Sequence, residues 1–208
     1  MKKHIYLIAF GFFLAIAPPG IILAQPHNFS VISYNPSIPT GKLADFTDQT
    51  SFRGFNAEFR VVVNDNFTLG ISGGLNTFRQ ASDGIVSEVI ERNGKVITLS
   101  AKRYRYTNMV PVLLTGYYYL GSMDTHGIKP YIGTGLGGYY IRKTVQMGLY
   151  QSDQEKIQFG LAPAAGILMS SSEHIVFMLE VQYHNVFGTA KSDPASAVGF
   201  KIGIGGRL

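Results

Sequence analysis

Eight segments of this chain alternate in character at every second residue. In one of them, Phe55 and Phe59 share a face opposite Arg60. Four segments alternate clearly (51–63, 67–78, 175–187 and 197–208), and four are less regular but strand-like (29–39, 104–120, 129–145 and 156–169). Because a period of two residues is typical of a β-strand, the chain is predicted to be all-β with eight strands. Pro111, in the fourth strand, predicts a local bulge because proline cannot donate to a sheet ladder.

The connections between these strands alternate strictly in length. Short turns are expected at 64–66, 121–128 and 170–174, and longer connections at about 40–50, 80–103, 146–155 and 188–197. An up-and-down membrane barrel has this pattern, whereas a soluble sandwich has no reason to adopt it and a lipocalin-like barrel would adopt it only in part. In hydrocarbon every backbone polar group must be paired, so a spanning sheet has to close. The predicted fold is a closed, eight-stranded, antiparallel, up-and-down transmembrane β-barrel.

The first residues have the order of a secretory signal peptide. Lys2 and Lys3 precede an apolar run from 5 to 17, and Ala24 provides a small residue before the cleavage point. A membrane anchor is the competing interpretation, but the Pro-Pro-Gly at 18–20 interrupts the run before the roughly 20 apolar residues of a spanning helix. The chain contains no Cys, which excludes a lipid-anchored Cys and a disulfide framework. The predicted parts are a signal peptide at 1–24 and an outer-membrane β-barrel at 25–208.

The charge of the chain argues against a nucleic-acid partner. The formal net charge of +5 falls to +3 when Lys2 and Lys3 leave with the signal peptide, and the other basic residues are spread along the chain. A nucleic-acid surface would concentrate them in a stripe. Charged residues make up 15% of the chain, below the roughly 25% of soluble domains.

The stretch YIGTGLGGYY carries glycines with the spacing of a dinucleotide-binding turn. Gly133, Gly135 and Gly138 match this spacing, but the residues that follow are rich in Tyr, Val, Ile and Thr and indicate more strand instead of a helix. Within a strand, Gly137 shares a face with Gly133 and Gly135. If that face lines a narrow lumen, these glycines leave room for larger side chains from neighbouring strands. The stretch therefore predicts a strand, and no cofactor is expected.

Aromatic residues cluster near the ends of the predicted strands. They are Tyr117, Tyr118, Tyr119, Tyr131, Tyr139, Tyr140, Tyr183 and Phe187. An aromatic ring with a hydroxyl group suits the boundary between hydrocarbon and water, so these residues are predicted to form interfacial girdles, with some of them serving only as packing residues.

Seven pieces of the chain together resemble the eight-stranded outer-membrane β-barrel proteins of the OmpA or OmpW type: NPSIPTGKLADF, SFRGFNAEFR, NFTLGISGGLNTF, MVPVLLTGYYYL, IKPYIGTGLGGYY, FGLAPAAGIL and FKIGIGGRL. The resemblance implies a Gram-negative type of outer membrane, contact with its lipid, insertion by the barrel-assembly machinery and periplasmic termini. It also implies a non-enzymatic structural or surface-interaction role, with a narrow porin-like conduit for small or apolar molecules as the alternative. Leu208 departs from the pattern, since such barrels often end in an aromatic residue.

Seven polar residues are predicted to point into the lumen: Glu58, Arg60, Glu180, Gln182, His184, Lys201 and Arg207. In a barrel this small, paired charges would fill the interior and plug it. The alternative is an ion or proton path, which needs continuous water.

A lipid-modifying outer-membrane enzyme is a less favoured function. Its pieces would be His184, Glu180 and a hydroxyl group such as Ser33 or Ser72, but none of them has motif spacing. The histidines at positions 27, 126, 174 and 184 are scattered, so they do not predict a metal site. No catalytic, cofactor-binding or metal-binding residue is therefore assigned.

The connection at 80–103 is the most distinctive of the long ones. Asn93 and Gly94 lie between two alternating runs, which is the strongest short-range signal for a β-hairpin. Two strands are therefore expected to continue beyond the membrane as a ribbon. Its edge could pair with a partner strand or bind an extracellular ligand, while its charges could equally be a solvated surface.

Overall fold

The computed structural model describes residues 28–92, 95–121, 127–170, 174–190 and 192–207, with the backbone alone for 88–92 and 95–99. Its elements are β1 (Phe29–Tyr34), β2 (Ser37–Thr40), α1 (Gly41–Phe46), β3 (Gly54–Asn64), β4 (Phe67–Arg92), β5 (Lys95–Tyr119), β6 (Gly127–Met147), β7 (Tyr150–Ser170), β8 (Ile175–Val186) and β9 (Ala195–Arg207). In this part of the chain, no helix has the length and apolar character that crossing a membrane requires.

All nine strands belong to one antiparallel sheet that returns on itself. Each strand from β3 to β8 pairs with the next one in the sequence, and β1 pairs with both β3 and β9. β2 also pairs with β9, so β1 and β2 are two parts of the first predicted strand. The eight predicted strands are confirmed, and the break in the first falls at Asn35 and Pro36, where proline lacks an N–H for the ladder.

The register of the sheet tilts its strands. Directly opposed residues, followed from Val31 through β3 to β8, lead to Ala195 on β9. Val31 itself faces Gly205, which is ten residues further along β9. An eight-stranded sheet with this stagger has an interior only wide enough for its own side chains.

The two faces of the ring differ in the way the alternation predicts. The outward face is apolar and exposed, as at Phe55, Leu69, Leu114, Ile132, Leu179 and Ile202. The inward face is buried and carries polar side chains between two apolar clusters. One cluster lies near the short turns and includes Phe29 and Met178. The other lies near the long hairpins and includes Phe78 and Leu43. These ends are called the turn end and the hairpin end below.

Two local predictions were wrong. The connection predicted at 146–155 is a turn at Gly148 and Leu149, with β6 and β7 continuing on either side; Gly148 has a φ of +59°, which favours glycine. The bulge predicted at Pro111 is absent, because β4 and β5 keep the same register from Gly73 to Asn76. The ladder skips the pairs around Pro111 instead, as expected where an N–H is missing.

At the hairpin end, four strands rise above the rest of the ring. β3 pairs with β4 only as far as Asn76, and β8 pairs with β7 only from Gly160. Residues 78–92, 95–106, 142–147 and 150–158 therefore continue as a four-stranded sheet, called the extension here. Within the described part of the chain, no strand pairs with its outer edges on β4 and β7, which are called its free edges. The ribbon predicted at 80–103 is confirmed in its backbone, while Asn93 and Gly94 lie outside the described residues.

Candidate functional site

The lumen near the turn end is centred on the side chain of Arg60, which comes from β3 and is fully buried. Its Nη1 donates to the hydroxyl group of Tyr119 at 2.8 Å. Its Nη2 donates to Glu58 at 3.0 Å and to Glu180, on the opposite wall, at 3.1 Å. One guanidinium group therefore links three strands across the barrel.

Glu180 connects Arg60 to a second cation. Its Oε1 accepts a hydrogen bond from Lys201 Nζ at 2.8 Å, and its Oε2 also accepts from the hydroxyl group of Tyr131 at 2.8 Å. Glu58 Oε1 accepts from Thr115 at 3.0 Å. Glu58, Arg60, Glu180 and Lys201, called the inner network here, have side chains with 0% exposure. The two acidic and two basic side chains carry equal and opposite charge, and their pairing offsets the cost of burying each one.

Aromatic rings surround the guanidinium group. Arg60 Cζ lies 3.7 Å from the ring centroid of Tyr117 and 4.9 Å from that of Tyr131. Four tyrosines predicted for the girdles, at positions 117, 119, 131 and 139, are buried in the lumen, so that prediction was wrong for them. Tyr118 and Tyr183 do lie on the outward face. The misassigned tyrosines supply the rings and hydroxyl groups that hold the inner network.

The other predicted lumen residues bond elsewhere. His184 is buried, and its Nδ1 lies 3.0 Å from the hydroxyl group of Tyr139. Arg207 donates from Nη2 to Ser170 at 2.9 Å. Gln182 is buried, but neither of its amide atoms has a hydrogen-bond partner within the described residues. These three side chains are therefore outside the hydrogen bonds of the inner network.

A polar layer lies between the inner network and the hairpin end. Asn35 and Ser37 both donate to Asn76 Oδ1 at 3.2 Å. Several other buried atoms have no partner among the described residues: Asn35 Oδ1, Asn56 Oδ1, Ser72 Oγ, Asn76 Nδ2, both amide atoms of Gln182, and His184 Nε2. Buried polar atoms in native proteins are usually satisfied, commonly by internal water.

The helix α1 covers the polar layer at the hairpin end. Leu43 is fully buried in the apolar cluster there. Phe46, at the end of the helix, packs beneath two cations: its ring centroid lies 5.4 Å from Arg105 Cζ and 5.1 Å from Lys143 Nζ. The predicted loop at 40–50 therefore contains a helix that caps the lumen.

The side chains considered for catalysis or metal binding do not form a site in the described part of the chain. Ser33 donates to the carbonyl group of Asn56 at 3.4 Å, and neither Ser33 nor Ser72 contacts His184. Residues 28–92, 95–121, 127–170, 174–190 and 192–207 contain no group of three potential metal ligands. The histidines at 27 and 126 lie outside the described residues.

Comparison with known proteins identifies the architecture. Neisserial surface protein A matches with a TM-score of 0.54 and 13% identity over 88% of this chain and 97% of that chain. Ail, the attachment invasion locus protein of Yersinia pestis, solved in complex with the heparin analogue sucrose octasulfate, matches with a TM-score of 0.51 and 14% identity over 87% of this chain and 97% of its own. This chain has the fold of an eight-stranded outer-membrane β-barrel. No protein-family model matches the sequence, and no curated protein does.

Charged residues mark the upper limit of the barrel's outward apolar band. On the outer face of the β6–β7 hairpin, Arg142 contacts Asp153 at 2.8 Å and Glu155 at 3.5 Å. The hydroxyl group of Thr144 donates to Asp153 and lowers the pKa of that carboxyl group, an effect to which Arg142 adds. The next outward residue of β7 below Glu155, Ile157, is apolar and exposed.

The glycine stretch of β6 is part of a strand in the barrel wall, which confirms the sequence prediction. A Cβ atom at Gly133 would overlap the ring of Tyr117, and one at Gly135 would press on Leu113. Gly138, on the outward face, has nothing within 4 Å of such an atom. The inward glycines therefore leave room for the tyrosine that stacks on Arg60.

Proposed function

We propose that this chain is a non-enzymatic outer-membrane protein with a structural or surface-interaction role. The observation that carries the proposal is the inner network, in which Arg60 and its partners occupy the lumen with fully buried, paired side chains. Bulky paired charges exclude the continuous water that a pore needs. The tyrosine rings on Arg60 and the helix α1 reinforce this closure.

The proposal includes an orientation in the cell. Both described termini lie at the turn end, near residues 28 and 207, and up-and-down barrels of the outer membrane have short turns on the periplasmic side. Residues 1–24 would direct export and be removed, and residues 25–208 would be inserted by the barrel-assembly machinery. The outward apolar band then contacts lipid, and the extension projects outside the cell.

The extension is the surface on which we expect an extracellular ligand to bind. Its free edges on β4 and β7 carry unpaired backbone groups that could accept a partner strand. A protein of the same fold, Ail, was solved with a heparin analogue, so such a barrel can carry a ligand-binding role.

A narrow conduit is the second candidate function. The unpartnered polar atoms of Gln182, His184 and Asn56 favour water inside the barrel. A conduit would use this polar layer as its central section, with the inner network and α1 as the two closures.

Three assays separate these functions. Proteoliposomes with the purified protein should not swell in L-arabinose and should not hydrolyse phospholipid. Swelling would favour the conduit, and hydrolysis that is lost in His184→Ala would favour the enzyme. Protease added to intact cells should cut within residues 82–103 and spare an epitope inserted after Asp65; the reverse result would contradict the orientation.

A further inference from the structure

The outward face of β3 and β4 carries two arginines just beyond its apolar residues, toward the hairpin end. On the β3 side the last apolar residue of that face is Phe55, and Arg53 is the next residue on the face. On β4 the apolar residues of the face end at Leu75, and Thr77 and Arg79 follow. Both arginines are exposed. They therefore lie where the hydrocarbon of a membrane would give way to polar headgroups.

The two arginines are close enough to share one anion. The amide group of Thr77 donates to the carbonyl group of Arg53 at 3.0 Å, so the β3–β4 ladder continues to Arg53 and places it opposite Thr77. Arg79 is two residues further along β4, and diagonal neighbours in a sheet are about 7–8 Å apart. Two cations at this spacing repel each other, and their long side chains can reach a single phosphate group together.

Neither arginine has an acidic partner within the described part of the chain. None of the ion pairs found there includes Arg53 or Arg79. Asp48 approaches β4 through its backbone amide group, which donates to Gln80 at 3.4 Å, but its carboxylate group forms no ion pair with Arg79. By contrast, Arg142 on β6 pairs with two carboxylate groups. The outward rim is therefore positive on β3 and β4.

The backbone that carries Arg53 is held in place. Its amide group donates to Ser51 Oγ at 3.1 Å, and Ser51 Oγ in turn donates to the carbonyl group of Thr77 at 2.5 Å. The hydroxyl group of Tyr34 donates to the carbonyl group of Phe52 at 2.7 Å. These hydrogen bonds fix the segment before β3 against its neighbouring strands.

Two tyrosine rings hold the side chain of Arg79 against the outer face of β5. Arg79 Cζ lies 5.4 Å from the ring centroid of Tyr104 and 5.7 Å from that of Tyr106, which is directly opposite Arg79 in the sheet. A cation–π contact positions a guanidinium group without neutralising its charge. The guanidinium group of Arg79 therefore keeps its charge for an anion.

We propose that Arg53 and Arg79 bind the phosphate group of a phosphorylated membrane lipid. Guanidinium groups match phosphate oxygens with paired N–H donors. The position selects a lipid over a free phosphate ion, because the acyl chains of a lipid can lie against Phe55 and Leu75 below the arginines. In the proposed orientation this lipid belongs to the leaflet that faces the outside of the cell, and that assignment alone rests on the proposed function.

The test is native mass spectrometry of the refolded protein, released from micelles of dodecyl maltoside, a detergent without phosphate. One probe is dioleoyl phosphatidic acid. The second is dioleoylglycerol, which has the same acyl chains without the phosphate group, and the third is glycerol 3-phosphate, which has the phosphate group without the chains. We expect the parent protein to retain phosphatidic acid and to retain neither of the other two probes.

Single substitutions locate the binding. Arg53→Gln and Arg79→Gln should each weaken the binding of phosphatidic acid by about fivefold, because each removes one of the two cations near the membrane surface. Lys102→Gln, which removes an exposed cation further along β5, is the matched control and should bind like the parent. In micelles without lipid, all three variants should keep the unfolding midpoint of the parent, since the side chains are exposed.

Three results would overturn the assignment. The first is that dioleoylglycerol or glycerol 3-phosphate binds as tightly as phosphatidic acid. The second is that Arg53→Gln or Arg79→Gln binds phosphatidic acid like the parent. The third is that Lys102→Gln weakens binding as much as they do, which would indicate an effect of net charge. Failure of the proposed function, by swelling or hydrolysis, would leave these measurements unchanged, and an inverted orientation would change only the leaflet.

Discussion

The two ends of this barrel differ in how deeply their ion pairs are buried. Near the turn end, Glu58, Arg60, Glu180 and Lys201 form a balanced, fully buried set. On the outer face of the extension, Arg142 and Asp153 form an ion pair whose side chains are 23% and 24% exposed. Removing one partner of a fully buried pair leaves the other charge unpaired, whereas water screens the charges of a partly exposed pair. The difference indicates that ion pairs contribute more to stability near the turn end than on the extension.

The largest expected effect is the removal of Arg60. Arg60→Ala leaves the carboxylate groups of Glu58 and Glu180 buried with fewer partners, so we expect a loss of about 3–5 kcal/mol in the free energy of unfolding. Urea titration in lipid vesicles measures it. Arg142→Ala, which removes a partly exposed pair on the hairpin, should cost about 0–1 kcal/mol. Equal losses of unfolding free energy in the two variants would mean that ion pairs at the two ends contribute alike to stability.

A smaller effect is expected from a single hydroxyl group. Tyr131→Phe removes the hydrogen bond to Glu180 and should cost about 1.5–3 kcal/mol, since the acceptor is charged and buried. Tyr118→Phe, on the outward face, is the matched control and should stay within about 0.5 kcal/mol. The same urea titration measures both variants. An unchanged free energy of unfolding in Tyr131→Phe would show that this hydroxyl group does not support the inner network.

Packing around the guanidinium group can be tested at two glycines of one strand. Gly133→Ala forces the ring of Tyr117 to move and should cost about 1–3 kcal/mol. Gly138→Ala meets no atom and should be close to neutral. Thermal unfolding in detergent compares the two variants, and a neutral Gly133→Ala would show that the lumen is looser than its contacts indicate.

The smallest effect concerns acid sensitivity at the extension. The lowered pKa of Asp153 means that its stabilising contribution is present above the unfolded pKa and is lost as the pH falls through the lower, folded value. On acidification below about pH 4, the unfolding midpoint of the parent should therefore fall slightly further than that of Asp153→Asn. A steeper fall in the variant would reverse the sign of this contribution.

The sequence was sufficient for the faces of the regular strands, because every second residue points outward and lipid requires an apolar side chain there. It was insufficient at Tyr117 and Tyr119, since the segment around them is apolar on both faces and alternation alone could not assign a side. Thr115 contacts Glu58 in the lumen, and Tyr117 and Tyr119 follow it at every second residue, so all three side chains share the inward face.

The part of the extension at 146–155 was missed for a different reason. Residues 150–156 are polar on both faces, because neither lipid nor a packed core lies against them, and such a segment resembles a loop. The helix α1 was also missed, as six residues are too few to show a helical period. The partners of Arg60 depend on the stagger of the whole sheet, which no local pattern reveals.

Single-channel recording of the parent in planar bilayers tests the closed lumen most directly. The inner network, the tyrosine rings and α1 together predict bilayers that contain inserted protein but carry no steady current. Insertion can be verified in the same membranes by protease protection of the strands. A steady ion conductance from the parent protein would contradict the closure of the lumen and would make the conduit its function.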